Sequence, residues 1–312
     1  MNQPSVGWIG TGVMGSHMAR RLLEAGYRLS IWSRTRSKAE PLLAAGATWC
    51  DDASDVARRS QLICTMVGYP ADVQEVYFGE RGILAELKKG QACVDFTSSD
   101  PSLAERIAAA AAEKEAVAID SPVSGGDIGA RDGKLSIMVG GDRRVFDGLA
   151  DFWAVLGKTA VHQGGPGAGQ RTKLTNQILV ASSMIGVCEA IAFARDGGLD
   201  PETVLQSVSG GAAASWALSN LAPRMLKGDY EPGFYVEHFV KDLGLVLAEC
   251  ERLQIELPGV KVAAELYRQL ESEGFGRKGT QAAIELVQRR SRAATTTGNV
   301  SPSVNLAADA SR

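Results

Sequence analysis

Lys173, Asn176 and Gln177 are the residues of this chain most suited to chemistry, at i, i+3 and i+4 within one uninterrupted stretch. On a helix this spacing sends all three side chains from one side of successive turns, so a primary amine lies beside two carboxamides. An amine so placed can exchange a proton with an oxygen of a small polar ligand. The same trio also suits a solvated helix face, because exposed lysine and asparagine are common. The approach, Gly164-Gly165-Pro166-Gly167-Ala168-Gly169, lets a ligand or another backbone come close. Beyond it, Leu174, Ile178, Ala181, Ile185, Cys188 and Ala192 keep three-four spacing, with no proline or glycine pair before Gly197-Gly198. That pattern predicts one long helix with a buried stripe.

What the trio does depends on what is placed against it. Near the N-terminus an apolar strand from Val6 runs into Gly10-Thr11-Gly12-Val13-Met14-Gly15, followed by a helix, Gly26 and a second strand, Arg28 to Trp32. Gly10 serves the tight turn, Gly12 lets backbone meet a pyrophosphate, and Gly15 lets the helix pack on the strand. The helix N-terminus adds unpaired N–H groups and a positive dipole end. This predicts dinucleotide binding. After the second strand, Ser33-Arg34-Thr35 stand where an NAD site generally carries Asp or Glu, with Arg36 and Lys38 close by and no acid before Glu40. Arg34 can fork onto a 2′-phosphate and stack on adenine, so NADP(H) is favoured over NAD(H). A charged strand-to-helix turn is the plainer alternative.

Strands at 47–50, 62–67, 92–96 and 116–120 alternate with helices at 54–59, 71–78 and 101–113, which predicts a doubly wound parallel sheet. Ligands in such a sheet lie beyond the carboxyl ends of the strands, here Gly10–Gly15, Val67–Pro70 and Thr97–Ser99. The hydroxyls of Thr97, Ser98 and Ser99 suit a ribose or carboxamide, and equally a helix cap with Asp100 before Pro101. Ser124-Gly125-Gly126 opens a loop whose N–H groups could converge on a small anion such as a carboxylate, or make an ordinary hairpin. A strand at 135–139, a helix at 143–156 and a strand at 159–162 close this half.

After the long helix the strand signal ends, and helices are expected at 201–209, 214–227, 236–254, 260–272 and 280–290. The expected organisation is a nucleotide-binding Rossmann domain over 1–163, an all-helical domain over 164–291 joined through the long helix, and a disordered tail over 292–312, which is small and polar. Lys241-Asp242 reads as a solvated charge pair. Substrate choice is expected to involve Trp216, Phe234, Phe239 and the Ser124 loop.

The 312 residues suit about two domains on the usual ~150-residue expectation. A net charge of −3 with no basic run argues against nucleic acid. The five cysteines (50, 64, 93, 188, 250) are scattered without a CxxC pair, and His17, His162 and His238 lie far apart, so neither a disulfide frame nor a metal site is expected. No run reaches ~18 consecutive apolar residues and the first strand begins by Val6, so a cytoplasmic protein without membrane contact is expected.

Four segments in fixed order, GWIGTGVMG, SPVSGG…GKLSIMVGG, GAGQRTKLTNQ and KDLGL, resemble the β-hydroxyacid dehydrogenase family over about residues 5–290. Its members include 3-hydroxyisobutyrate dehydrogenases and 2-hydroxy-3-oxopropionate reductases. The resemblance implies a Rossmann domain with a helical partner domain, homodimers or homotetramers, and a small hydroxy acid or semialdehyde as substrate. It makes Lys173 the catalytic lysine, gives substrate binding to Ser124, Gly125, Gly126 and Asn176, and lays Ser98 and Lys241 against the cofactor, beside Val67, which its place at a strand's carboxyl end already puts there. The SRT turn is similar to the NRT turn of NADPH-using semialdehyde reductases, with Ser33 for asparagine. An imine reductase and a non-catalytic nucleotide-binding scaffold are the two alternatives.

Overall fold

A computed structural model describes residues 3–297. Short, largely apolar runs form β1 (Val6–Ile9), β2 (Leu29–Trp32), β4 (Leu62–Thr65), β5 (Ala92–Asp95) and β6 (Val117–Asp120), with the two-residue, partly exposed β3 (Thr48–Trp49) at the edge, all parallel. β7 (Val123–Ser124), β8 (Leu135–Gly140) and β9 (Gly157–Gly164) extend the sheet, with β8 antiparallel to β6 and β7 and parallel to β9. The strand order is β3-β2-β1-β4-β5-β6-β8-β7. Register aligns Trp32, Ile9, Thr65, Asp95 and Asp120 as one row of last residues, so the loops that follow them leave from a single edge. Strand order reverses between β1 and β4, which opens a crevice at that edge.

The crossovers are α1 (Val13–Glu24), α2 (Glu40–Ala44), α3 (Ala53–Arg59), α4 (Pro70–Phe78), α5 (Ile83–Glu86) and α6 (Pro101–Glu113). Alternate side chains of each strand feed two cores, one on each face of the sheet. Trp8, Ile31, Val94 and Phe96 join Phe152 and Trp153 on one face, whereas Ile9, Ile63 and Cys93 join Val56, Val73 and Ile107 on the other. All five cysteines are buried and free.

The structure corrects several expected elements. The Ser124 loop is not a hairpin: Gly125, at φ 133°, opens a helix, α7 (Gly126–Asp132). The helix expected over 143–156 is two, α8 (Arg143–Gly148) and α9 (Ala150–Leu156), because the backbone at Leu149 leaves helical geometry. The long helix is α10 (Ala168–Asp196). After α11 (Pro201–Val208), the helix expected over 214–227 is α12 (Trp216–Asn220) and α13 (Ala222–Leu226); Pro223 lacks the N–H that would carry the ladder through. Then follow α14 (Val236–Leu253), α15 (Pro258–Leu270) and α16 (Ala283–Thr297). α16 continues helical through Thr297, where a disordered tail was expected; the rest of that tail, 298–312, lies outside the described residues.

By packing, the chain divides into two compact units: 1–182 with 231–280, and 183–230 with the segment from Gln281 onward. This differs from a division at residue 163: the first half of α10 and all of α14 and α15 fall in the same unit as the sheet. α14 and α15 meet through Phe239 edge-on to Tyr267 at 4.7 Å, and the Tyr267 hydroxyl donates to the Thr280 carbonyl. In the second unit Arg224 forks onto Asp229, and the Gln281 amide donates to the Asp229 carbonyl.

α10 also corrects the membrane expectation. One 18-residue window of it reaches a mean hydropathy of 1.7, long and apolar enough by length and composition to cross a bilayer. Counting only consecutive apolar residues missed it, since Ser182, Ser183, Gly186 and Glu189 interrupt the run without bringing its mean down far. A core helix meets the same criterion, and Gln170, Lys173, Leu174 and Gln177 on this one are buried in protein.

Candidate active site

The first unit gathers most of the expected site residues at the carboxyl edge of the sheet. In the glycine turn the three glycines differ in what a side chain would meet. A Cβ on Gly10 would lie 2.2 Å from the Met66 carbonyl oxygen, and one on Gly15 would lie 2.2 Å from that of Gly10. A Cβ on Gly12 would meet no protein atom within 4 Å. Gly10 and Gly15 are therefore required by the fold, whereas Gly12 keeps an approach clear. Gly12 caps α1 without a side-chain bond, so the amides of that first turn have no side-chain acceptor. Val13 is exposed and Met14 half-buried there. The Thr11 amide donates to Ser33 Oγ at 3.3 Å, while buried Thr11 Oγ1 has no partner among the described residues. These features fit a dinucleotide: open space at Gly12, free helix-end donors and an orphaned hydroxyl. Thr35 ends the exposed Ser33-Arg34-Thr35 turn before a short 3₁₀ turn.

Farther along the edge a buried polar network ties the loops to α10. Asp95 Oδ1 accepts from the Thr65 hydroxyl at 2.6 Å and the Thr97 amide at 3.1 Å, and the Val67 amide donates to the Thr97 hydroxyl. Gln170, fully buried, donates to the Thr97 carbonyl at 2.7 Å and accepts from the Ser99 amide at 2.9 Å. Asp120 accepts from the amides of Gly167 (2.8 Å) and Gln170 (2.7 Å), capping α10. Burial raises both acids, Asp95 to about 6, against hydrogen bonds that favour their ionised forms. Close packing explains Gly169 in the first turn of α10, where a Cβ would lie 2.4 Å from the Met138 carbonyl oxygen.

One turn beyond Gln170, Lys173 is buried, which excludes the solvated helix face. Among the described residues its ammonium makes no hydrogen bond. Burial pushes its pKa below the usual lysine value; the Asp242 charge opposes this shift and Lys241 adds to it. Asn176 donates to Gln177 Oε1 at 2.8 Å, and Gln177 donates to Asp242 Oδ2 at 2.6 Å. The carboxamides thus orient the carboxylate whose charge acts on Lys173. Lys241 lies 3.1 Å from Asp242 Oδ1 and donates to the carbonyls of Ser98 (2.7 Å) and Gly68 (3.3 Å). This pair is not the solvated one expected: Asp242 is buried, and Lys241 joins α14 to the loops after β4 and β5.

Ser124 is half-buried on β7, opposite Ser136. Gly125 and Gly126, both at positive φ, bend the chain into α7, and a Cβ on Gly126 would lie 3.7 Å from the Gly233 carbonyl oxygen. Of the aromatics expected to set substrate choice, Phe234 stacks toward His238 and Phe239, but Phe239 is fully buried against Tyr267 and is core. Trp216 is 70% exposed and belongs to the second unit.

The chain matches two family models end to end: the NAD binding domain of 6-phosphogluconate dehydrogenase over 5–165, and the NAD-binding domain of NADP-dependent 3-hydroxyisobutyrate dehydrogenase over 167–287. It belongs to the β-hydroxyacid dehydrogenase family. It is 50% identical to the uncharacterized oxidoreductase YkwC of Bacillus subtilis, over 90% of this chain and 98% of that protein. It is 38% identical to the 2-hydroxy-3-oxopropionate reductase of Escherichia coli, over 91% and 97%. The fold is similar to that of 3-hydroxyisobutyrate dehydrogenase from Mycobacterium tuberculosis, with TM-score 0.86 at 24% identity, covering 92% of this chain and all of that one. As a β-hydroxyacid dehydrogenase the chain is an NAD(P)-dependent oxidoreductase acting on the CH–OH group of a hydroxy acid.

Gln170, Asp95 and Asp120 were missed in the sequence, whereas Thr97 was expected at the site. Gln170 carried a signal, standing three residues before Lys173 on the same helix face. The two acids end apolar strands, where a carboxylate has no packing reason to be.

Proposed function

We propose that this chain interconverts a small 3-hydroxy acid and its semialdehyde, with NADP(H) favoured and Lys173 as general acid and base. A bound nicotinamide supplies or accepts the hydride. In reduction, charge grows on the carbonyl oxygen, and Lys173 donates a proton to it; in oxidation the neutral amine takes the hydroxyl proton. The observation that carries this reading is a buried ammonium without a hydrogen bond, its pKa lowered by burial, beside Asp242 and Lys241. Lowering brings the amine nearer the working pH, where proton transfer in both directions is most effective. Ser124 with the amides of Gly125 and Gly126, and Asn176, would hold the substrate carboxylate, while Ser98, Val67 and Lys241 would lie against the cofactor. The Ser33-Arg34-Thr35 turn, exposed and without an acid of its own, supports the choice of NADP(H).

Purified protein screened against short semialdehyde acids, with cyclic imines as the control, tests the substrate class. Turnover of imines alone would refute it. Lys173→Ala is expected to lower kcat by about 10²- to 10⁴-fold with cofactor binding unchanged; near-wild-type turnover would remove the lysine from the mechanism. We also propose a homodimer or homotetramer, supported by Leu179 and Phe193 on α10 at 66% and 78% exposure. Light scattering checks it, and a monomer at micromolar concentration refutes it.

A further inference from the structure

The acid that is missing after β2 is supplied in space by another element of the same unit. Asp72, in the first turn of α4, holds Oδ1 3.1 Å from Arg34 Nη1. Its other oxygen accepts from the Tyr69 amide at 3.1 Å, so the carboxylate is fixed by helix capping and cannot swing away freely. Asp72 is 26% and Arg34 84% exposed at the side chain, which leaves the arginine reachable by a ligand while its partner stays in place. Arg36, the neighbouring guanidinium, is engaged elsewhere: it lies 5.0 Å over the Trp49 ring and 3.6 Å from Glu40.

We propose that Asp72 is a specificity-determining residue for the adenosine end of the cofactor, an internal rival of the 2′-phosphate for Arg34. This rests on the NADP(H) reading above and deepens it. A 2′-phosphate must share Arg34 with the carboxylate, which engages one guanidinium nitrogen, or displace it, and in either case lies within a Debye length of that charge. A 2′-hydroxyl meets neither obstacle. The rivalry narrows the preference for NADP(H) and makes the chain tolerant of NAD(H), whereas the sequence around Arg34 alone predicts a strong phosphate preference. Asp72→Asn keeps an oxygen for the Tyr69 amide, so it removes the charge and leaves the cap.

Calorimetric titration with 2′,5′-ADP and with 5′-AMP reads this end without any reaction. Asp72→Asn is expected to tighten 2′,5′-ADP about threefold or more at low salt, with a smaller gain at high salt, and to leave 5′-AMP within about twofold. In an Arg34→Ala background the same change is expected to give a clearly smaller gain, because there is nothing left to compete for. Unchanged 2′,5′-ADP binding in Asp72→Asn, or an equal gain for 5′-AMP, overturns the proposal. If Arg34→Ala weakens 2′,5′-ADP while Asp72→Asn does nothing, the rivalry fails and the NADP(H) reading stands. If Arg34→Ala leaves 2′,5′-ADP unaffected, that reading fails and the rivalry falls with it.

Discussion

Gln170→Ala tests whether the loop after β5 is held by the helix that carries Lys173. The substitution strips two bonds at once, from Gln170 to the Thr97 carbonyl (2.7 Å) and from the Ser99 amide to Gln170 (2.9 Å). Both backbone groups are buried, and each unpaired group costs about 1–3 kcal/mol. The loop then loses about 2–6 kcal/mol of local stability. Other ties remain: Thr97 to Asp95 and Val67, and Ser98 to Lys241. The loss therefore opens the loop and leaves the sheet standing. At about 1.4 kcal/mol per tenfold, amide exchange over Thr97–Ser99 should quicken by at least about 30-fold. Peptides from β1 are expected to exchange as in the wild type. Gln170→Glu separates the two bonds: its ionised carboxylate still accepts from the Ser99 amide but repels the Thr97 carbonyl, and protonation at low pH restores a donor. Exchange over Thr97–Ser99 within twofold of wild type in Gln170→Ala would refute the tie.

Three further outcomes are expected. Gly12→Ala should fold with an unchanged melting temperature, because its Cβ meets nothing, yet lose cofactor binding by more than about tenfold; Gly15→Ala, 2.2 Å from the Gly10 carbonyl oxygen, should instead be destabilised, and thermal melts beside cofactor titrations separate the two. Asp242→Asn removes the charge that raises the Lys173 pKa, so the alkaline limb of the reduction profile should move acidward, read from kcat against pH; an unmoved limb would remove Asp242 from the control of this amine. Burial pushes the Asp95 pKa in the folded protein up to about 6 from the ordinary aspartate value of 3.8, so its protonated form is favoured by folding. The protein is then most stabilised at this residue below pH 3.8 and loses about 3 kcal/mol as pH rises through 6; Asp95→Asn should abolish that part of the pH dependence and be relatively more stable at pH 8, checked by urea unfolding at both ends.

Local signals made much of the fold legible. α6 has the expected bounds because Asp100 caps it and Pro101 fits its first turn. The parallel sheet follows from apolar runs spaced by helices, and the glycine turn from its place between them. α7 was hidden because Gly126, Gly129 and Gly133 within a polar run read as loop, although Gly125 and Gly133 are what turn the chain into and out of the helix. The site was legible as residue types and not as partners. Lys173 stood out, but the charges that act on it, Asp242 and Lys241, stand on α14, more than sixty residues on. Asp72 reaches Arg34 across 38 positions, and Gln170 reaches Thr97 across 73, distances over which no periodicity carries information.

The two lysines of the site show why one and not the other suits proton transfer. Lys241 has a carboxylate and two backbone carbonyls within reach, so its position is fixed. It acts as a strut between α14 and the loop ends. Lys173 is equally enclosed but makes no hydrogen bond, and the burial that isolates it also disfavours its charge. An ammonium kept in this state costs folding free energy that an apolar side chain in its place would not. Asp242 keeps the cost bounded: held by Gln177, it supplies an opposite charge to Lys173 without neutralising it through a bond. Removing Gln177 should therefore act on Lys173 only through Asp242, so the kinetic effects of Gln177→Ala and Asp242→Asn should be less than additive when combined. Full additivity would mean that the carboxamide touches the reaction on its own account.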